Sequence, residues 1–113
     1  MNCRQGEILI LDKKTAKKIY NINLDQDIRK LPISPDNVIR EGEQSGHKHE
    51  VNGGQLHMFG PTKDDGMVLK SKPGGSTVSH PEHGTIKVKP EPDNHAVIVQ
   101  KEYDEKKDKK VKD

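Results

Sequence analysis

One cysteine, no tryptophan and three other aromatic rings in 113 residues deprive this chain of several common devices. Cys3 alone cannot close an internal disulfide, so a secreted, disulfide-stapled scaffold is excluded. Near the terminus and without a positioned base it is also a poor nucleophile. Tyr20, Phe59 and Tyr103 are too few and too scattered to stack nucleic-acid bases. No long apolar run exists: Ile8 to Leu11 is four residues, far short of a membrane span. The opening Met-Asn-Cys-Arg-Gln-Gly-Glu lacks the basic-then-apolar order of a signal peptide. Charge of one sign is missing too, since 20 Lys and Arg against 18 Asp and Glu leave a net +2. Such a mixed surface is not the basic footprint of a nucleic-acid binder. No nucleophile elbow or phosphate-cradling loop appears; Ser45 sits in G-E-Q-S-G and Pro73-Gly74-Gly75-Ser76 reads as a turn. The chain reads as a soluble, cytoplasmic protein without membrane or nucleic-acid partners.

What is there is β-like. Short apolar or alternating runs recur between turn signals every 8 to 12 residues: Gly6 to Leu11, His47 to Val51, Gln55 to Phe59, Met67 to Leu69, Thr85 to Lys89 and Ala96 to Val99. That spacing predicts an all-β domain, a small barrel or a sandwich. Gly53-Gly54 is expected to turn a hairpin between the second and third runs. Residues 15 to 30 fit neither period, although Tyr20, Ile22 and Leu24 alternate as one strand face. The domain is expected to span 1–104. Residues 105–113, five lysines interrupted by acids with one valine, are expected to form a disordered tail. With 28% apolar residues the core should be thin, and a metal, a homo-oligomer interface or barrel closure would supplement it.

Five of the six histidines fall within 37 residues. His47 and His49 form H-K-H; on a strand, residues i and i+2 share a face. His80 and His83 form H-P-E-H around a turn that Pro81 helps define. Two such pairs brought together supply three or four imidazole ligands for a divalent transition metal: Zn, Fe, Ni or Mn. Four protein ligands would close the site and make it structural; three would leave a position for water or substrate. Around this set, Glu82 lies in a turn free to reach the site, Glu50 should face outward, and Glu43 could orient a ligand ring. His57 and His95 are the alternatives that could replace one of the four.

Two resemblances bear on this pattern. Gly42 followed by H-K-H, then Gly84, Pro90 and His95 at matching intervals, resembles the metal-binding cupins, small β-barrels with an H-x-H strand, a Glu and a later His. The expected Glu is replaced by Asn52, Gly53 and Gly54, and Pro92 and Val99 stand where cupins carry Gly and Asn. That resemblance implies His47, His49 and His95 as ligands. A second resemblance covers nearly the whole chain: Gln5-Gly6-Glu7, the stretch from Gly42 to His49, His80 to His83, and Gln100 to Tyr103. It is similar to a group of small bacterial and phage proteins of uncharacterised function with Q-G-(D/E), G-E-x-(T/S)-G-H-x-H, H-P-E-H and Q-(R/K)-E-Y motifs. It implies no activity and favours His80 and His83 over His95. The expectation is therefore a metal-binding β domain using His47, His49, His80 and His83, with catalysis undecided. The alternative is a non-catalytic accessory or structural module of a bacterium or phage whose histidines bind no metal.

Overall fold

The computed structural model describes residues 2–42, 46–89 and 94–100. Two antiparallel sheets carry nine strands among these residues, which is the expected all-β architecture in sandwich form. The first sheet contains β1 (Cys3–Gln5), β2 (Ile8–Leu11), β5 (Gly54–Met58), β6 (Met67–Ser71) and β9 (His95–Val99), in the order β1-β2-β9-β6-β5. The second contains β3 (Val38–Glu41), β4 (Lys48–Asn52), β7 (Ser76–His80) and β8 (Gly84–Val88), in the order β3-β4-β7-β8. The chain thus visits the two sheets in pairs of strands, and β9 returns to pair with both β2 and β6.

Alternation decides what lies between the sheets. Ile8 and Ile10, Leu56 and Met58, Met67 and Leu69, and Val97 from the first sheet meet Ile39, Val51, Val78 and Val88 from the second. The apolar members of this core are aliphatic side chains and methionine, with no Phe or Tyr among them; each fully buried one contributes about 1.5–3 kcal/mol. The opposite face of the first sheet is also covered. Val68 and Ala96 pack beneath Leu11, Ala16, Leu24 and Ile28.

That cover is where the structure departs from the sequence reading. Residues 20 to 24 make no strand. Lys13–Tyr20 is a helix, α1, opened by Asp12, whose side chain accepts the Thr15 N–H at 2.9 Å. It ends at Asn21 in the left-handed region, φ 57°. Ala16 is its only buried residue and Ile19 is 65% exposed, so there was no apolar stripe to read.

The second departure is at Gly53-Gly54. β4 and β5 belong to different sheets, so this is a corner and not a hairpin. Gly53 has φ 81°, and a Cβ there would lie 2.9 Å from the Gly75 carbonyl oxygen. The β4–β5 and β6–β7 corners therefore cross with backbone against backbone, which only glycine permits. The proposed disordered tail, 105–113, and the domain limit at 104 lie outside the described residues.

Candidate metal site

At the other end of β4 and β7 the sandwich opens into a cavity of about 370 Å³ lined by Glu7, Gly42, His47, His49, His80, Glu82 and His83. All four histidines of the two motifs are here. His80 is the middle ring, its centroid 6.0 Å from His47, 4.4 Å from His49 and 4.5 Å from His83; His49 and His83 lie 6.1 Å apart, nearly parallel. Two imidazoles on one tetrahedral ion, with metal–nitrogen bonds of about 2.1 Å, have centroids about 5 Å apart. The observed separations bracket that value. As the side chains stand, however, no group of three or more His, Cys, Asp or Glu among the described residues could hold a metal ion. The His80 ring is tilted by 37° against both the His49 and the His83 ring, and the rings pack on one another instead of converging their nitrogens.

The best-fixed member is His49. It is 4% exposed, on the core side of β4, and its Nδ1 lies 2.6 Å from Gln5 Oε1. Gln5 is itself buried, and its amide nitrogen donates to the carbonyls of Val78 at 2.8 Å and Gly84 at 2.7 Å. Both amide hydrogens are thus spent, which orients the amide and makes Oε1 the acceptor. Nδ1 of His49 must then carry the proton, leaving the lone pair on Nε2. Burial first, then the neighbouring His80, His83 and Arg40, push the His49 pKa down to about 4, so the ring is neutral at pH 7. A neutral imidazole whose far nitrogen is pinned to a fixed carbonyl oxygen is how proteins orient metal ligands.

His80 is held differently. Its Nδ1 accepts the backbone N–H groups of Glu82, at 3.0 Å, and His83, at 3.2 Å, so the side chain caps its own turn. Burial, then His83 and His47, lower its pKa against the opposing pull of Glu82 and Glu7. His47 Nδ1 lies 3.7 Å from Glu82 Oε2 at the rim. Glu7 is paired with Arg40, which reaches on to Asp64 at 3.8 Å.

The Q-G-E turn between β1 and β2, where the sequence predicts the opening of the first strand at Gly6, is part of the site. Gln5 orients His49, and Glu7 forms cavity wall. Gly6, with φ 59°, leaves the space in which His83 sits: a Cβ there would lie 2.8 Å from His83 Cδ2 and Nε2. A two-residue hairpin loop demands such a residue. The motif itself was the available signal.

The remaining candidates fall elsewhere. His57 does not face the H-K-H strand, because β5 is in the other sheet; it is buried under residues 31–33, its Nδ1 3.4 Å from the Leu31 carbonyl oxygen. His95 is buried at the start of β9, beside Leu69, and does not line the cavity. The cupin-style set of His47, His49 and His95 is therefore not assembled. Glu50 is not part of the cavity wall, as expected, and Glu43 lies outside the described residues.

No curated protein and no solved structure matches this chain. The family described as Domain of unknown function (DUF8820) matches residues 4–91, well over half of the sequence, and the chain belongs to that family. The match runs from before the Q-G-E turn to beyond the H-P-E-H turn.

Proposed function

We propose that this member of a family of unknown function binds one divalent transition metal ion, its ligands drawn from His47, His49, His80 and His83. The observation that carries the reading is the tie from Gln5 to His49. A buried glutamine with both hydrogens committed exists here to hold one imidazole in one tautomer. A merely structural histidine would not require the far nitrogen to be left bare beside His80 and His83. Glu82 Oε2 lies 3.7 Å from His47 Nδ1, beyond hydrogen-bond length, and places a carboxylate beside that ring. Zn, Fe, Ni and Mn all suit such nitrogen donors. The resemblance to bacterial and phage proteins carries with it a cytoplasmic setting, and a homo-oligomer would extend the thin core. The two-sheet form is compatible with a cupin-like relationship, although the cupin ligand set is not the one proposed.

Elemental analysis of untagged protein, before and after reconstitution with zinc or nickel, tests this directly. About one metal per chain is expected, lost in the double variant His47→Ala, His49→Ala. Absence of metal after reconstitution overturns the proposal in favour of a metal-free accessory module.

A further inference from the structure

Independently of the metal reading, we infer that the outer face of the second sheet carries a binding site for a phosphate group, beside the glycine corner. Where the β4–β5 and β6–β7 corners cross, the surface forms a concavity of about 510 Å³ whose lining includes Asn52, Gly74, Gly75, Thr77, Lys87 and Lys89. Strand register builds it. Asn52 pairs with Thr77, and Thr77 with Lys87, so the three stand in a row across β4, β7 and β8. Their chain neighbours Val51, Val78 and Val88 fill the core, which turns this row outward. Lys89, two residues beyond Lys87, brings a second ammonium group to the same concavity. The turn at residues 72–75, closed by the Gly75 N–H donating to the Lys72 carbonyl at 2.7 Å, borders it.

The chemistry is that of an anion site. Two ammonium groups, a hydroxyl and a carboxamide line it, and no carboxylate does so among the described residues. The histidine cavity, by contrast, has Glu7 and Glu82 in its wall. A phosphate monoester carries about −1.5 to −2 charges near neutral pH and three acceptor oxygens, which matches two ammonium groups and two neutral donors. A carboxylate, with a single charge, matches only one of the lysines. No ring is in the lining, so nothing stacks on a base and selection rests on the anion itself. The volume is that of a site for a small molecule, so the phosphate group is expected to be carried on one.

The test uses the full, untagged, metal-free chain at about pH 8, where ordinary imidazoles are neutral. It is titrated at constant ionic strength with glucose 6-phosphate, inorganic phosphate and acetate, and amide NMR shifts are followed. Expected is saturable binding of glucose 6-phosphate, with the largest shifts around Thr77 and Lys87, and weaker binding of acetate. The double variant Lys87→Gln, Lys89→Gln should lose about tenfold or more in affinity, the scale of hydrogen bonds to a charged group. Lys14→Gln, Lys18→Gln makes the same charge change on exposed positions of α1 and should stay within about twofold of the parent. Gly74→Asp, where an added Cβ meets nothing within 4 Å, should weaken binding through its carboxylate without disturbing the fold. The variant His47→Ala, His49→Ala should bind the phosphate as the parent does, which separates this site from the histidine cavity whether or not that cavity holds a metal. Inorganic phosphate bound as tightly as the monoester would keep the site and make the free anion its ligand. The inference is overturned by the absence of saturable phosphate binding, by acetate binding equally well, or by an equal loss in the α1 variant.

Discussion

The two ends of the β4–β7 pair are built from the same two strands and do opposite work. At one end, His49 and His80 meet His47, His83 and the Q-G-E turn around a cavity, and the ties are made by side chains. At the other, Gly53 and Gly75 bring two sheet-switching corners together with no side chain between them. Each end depends on a glycine with positive φ that has no room for a Cβ: Gly6 at the site and Gly53 at the corner. The obstacles differ. Beside Gly6 it is the His83 ring, which can rotate away; beside Gly53 it is a carbonyl oxygen, which cannot move without moving a corner. One end therefore encodes chemistry that can be altered without loss of the fold, and the other encodes the fold.

The sharpest way to break that division is Gln5, a site residue that also bridges the sheets. Gln5→Met removes the acceptor for His49 and the amide donor to the carbonyls of Val78 and Gly84. Metal affinity should fall by about 10–100-fold, as for other orienting partners of ligand histidines. Stability should fall by about 1–3 kcal/mol for the buried groups left unpaired. Isothermal titration with zinc and a chemical denaturation curve read the two effects apart. Loss of stability with undiminished affinity would mean that Gln5 serves the fold alone.

Gly53→Ala comes next. A left-handed conformation forced on alanine, together with the backbone contact, should destabilise by about 2 kcal/mol and lower the melting temperature by about 10 °C. The folded protein should bind zinc as the parent does. Gly6→Ala should reverse the balance: about 1 kcal/mol of destabilisation, with a measurable loss of zinc affinity as His83 is displaced. Equal losses of affinity in both variants would show that the two ends are not separable.

Much of this division could be read from the chain before its structure. Strands β2, β6 and β9 were legible as short apolar runs because both faces of their sheet are covered, and β8 as an alternating run. The pairing of H-K-H with H-P-E-H followed from their strand and turn spacing and from the resemblance that carries both motifs. Three features were not. The eight-residue helix buries only Ala16, so its period is silent, although Asp12 and Asn21 marked its ends. Gly53 and Gly54 look the same in sequence whether they turn a hairpin or a corner, because the choice between sheets rests on contacts with Gly75, 22 residues away. Gln5 is distant from His49 by 44 residues, and nothing local announces that its amide is the partner of an imidazole.

The smallest effect expected is a pH dependence of the metal-free protein. His49 has a folded pKa lowered to about 4, and that of His80 is lowered as well, both chiefly by burial. In the unfolded chain both return to about 6.5. Between those limits the unfolded state binds more protons than the folded one, so acidification favours unfolding. Stability from these groups is fully present above about pH 6.5 and is lost as pH falls toward about 4. Asp36, lowered by its hydrogen bond with Lys63, contributes in a different window, below the ordinary carboxylate range near 3.8. Urea midpoints measured from pH 7 to pH 4.5 should therefore decline smoothly, and His49→Gln should flatten the decline. Saturating zinc should steepen the decline in the parent, since protons then compete with the ion for the same nitrogens. A parent protein whose midpoint is constant over that range would show that His49 is neither buried nor neutral, and would remove the basis for treating it as the anchored ligand.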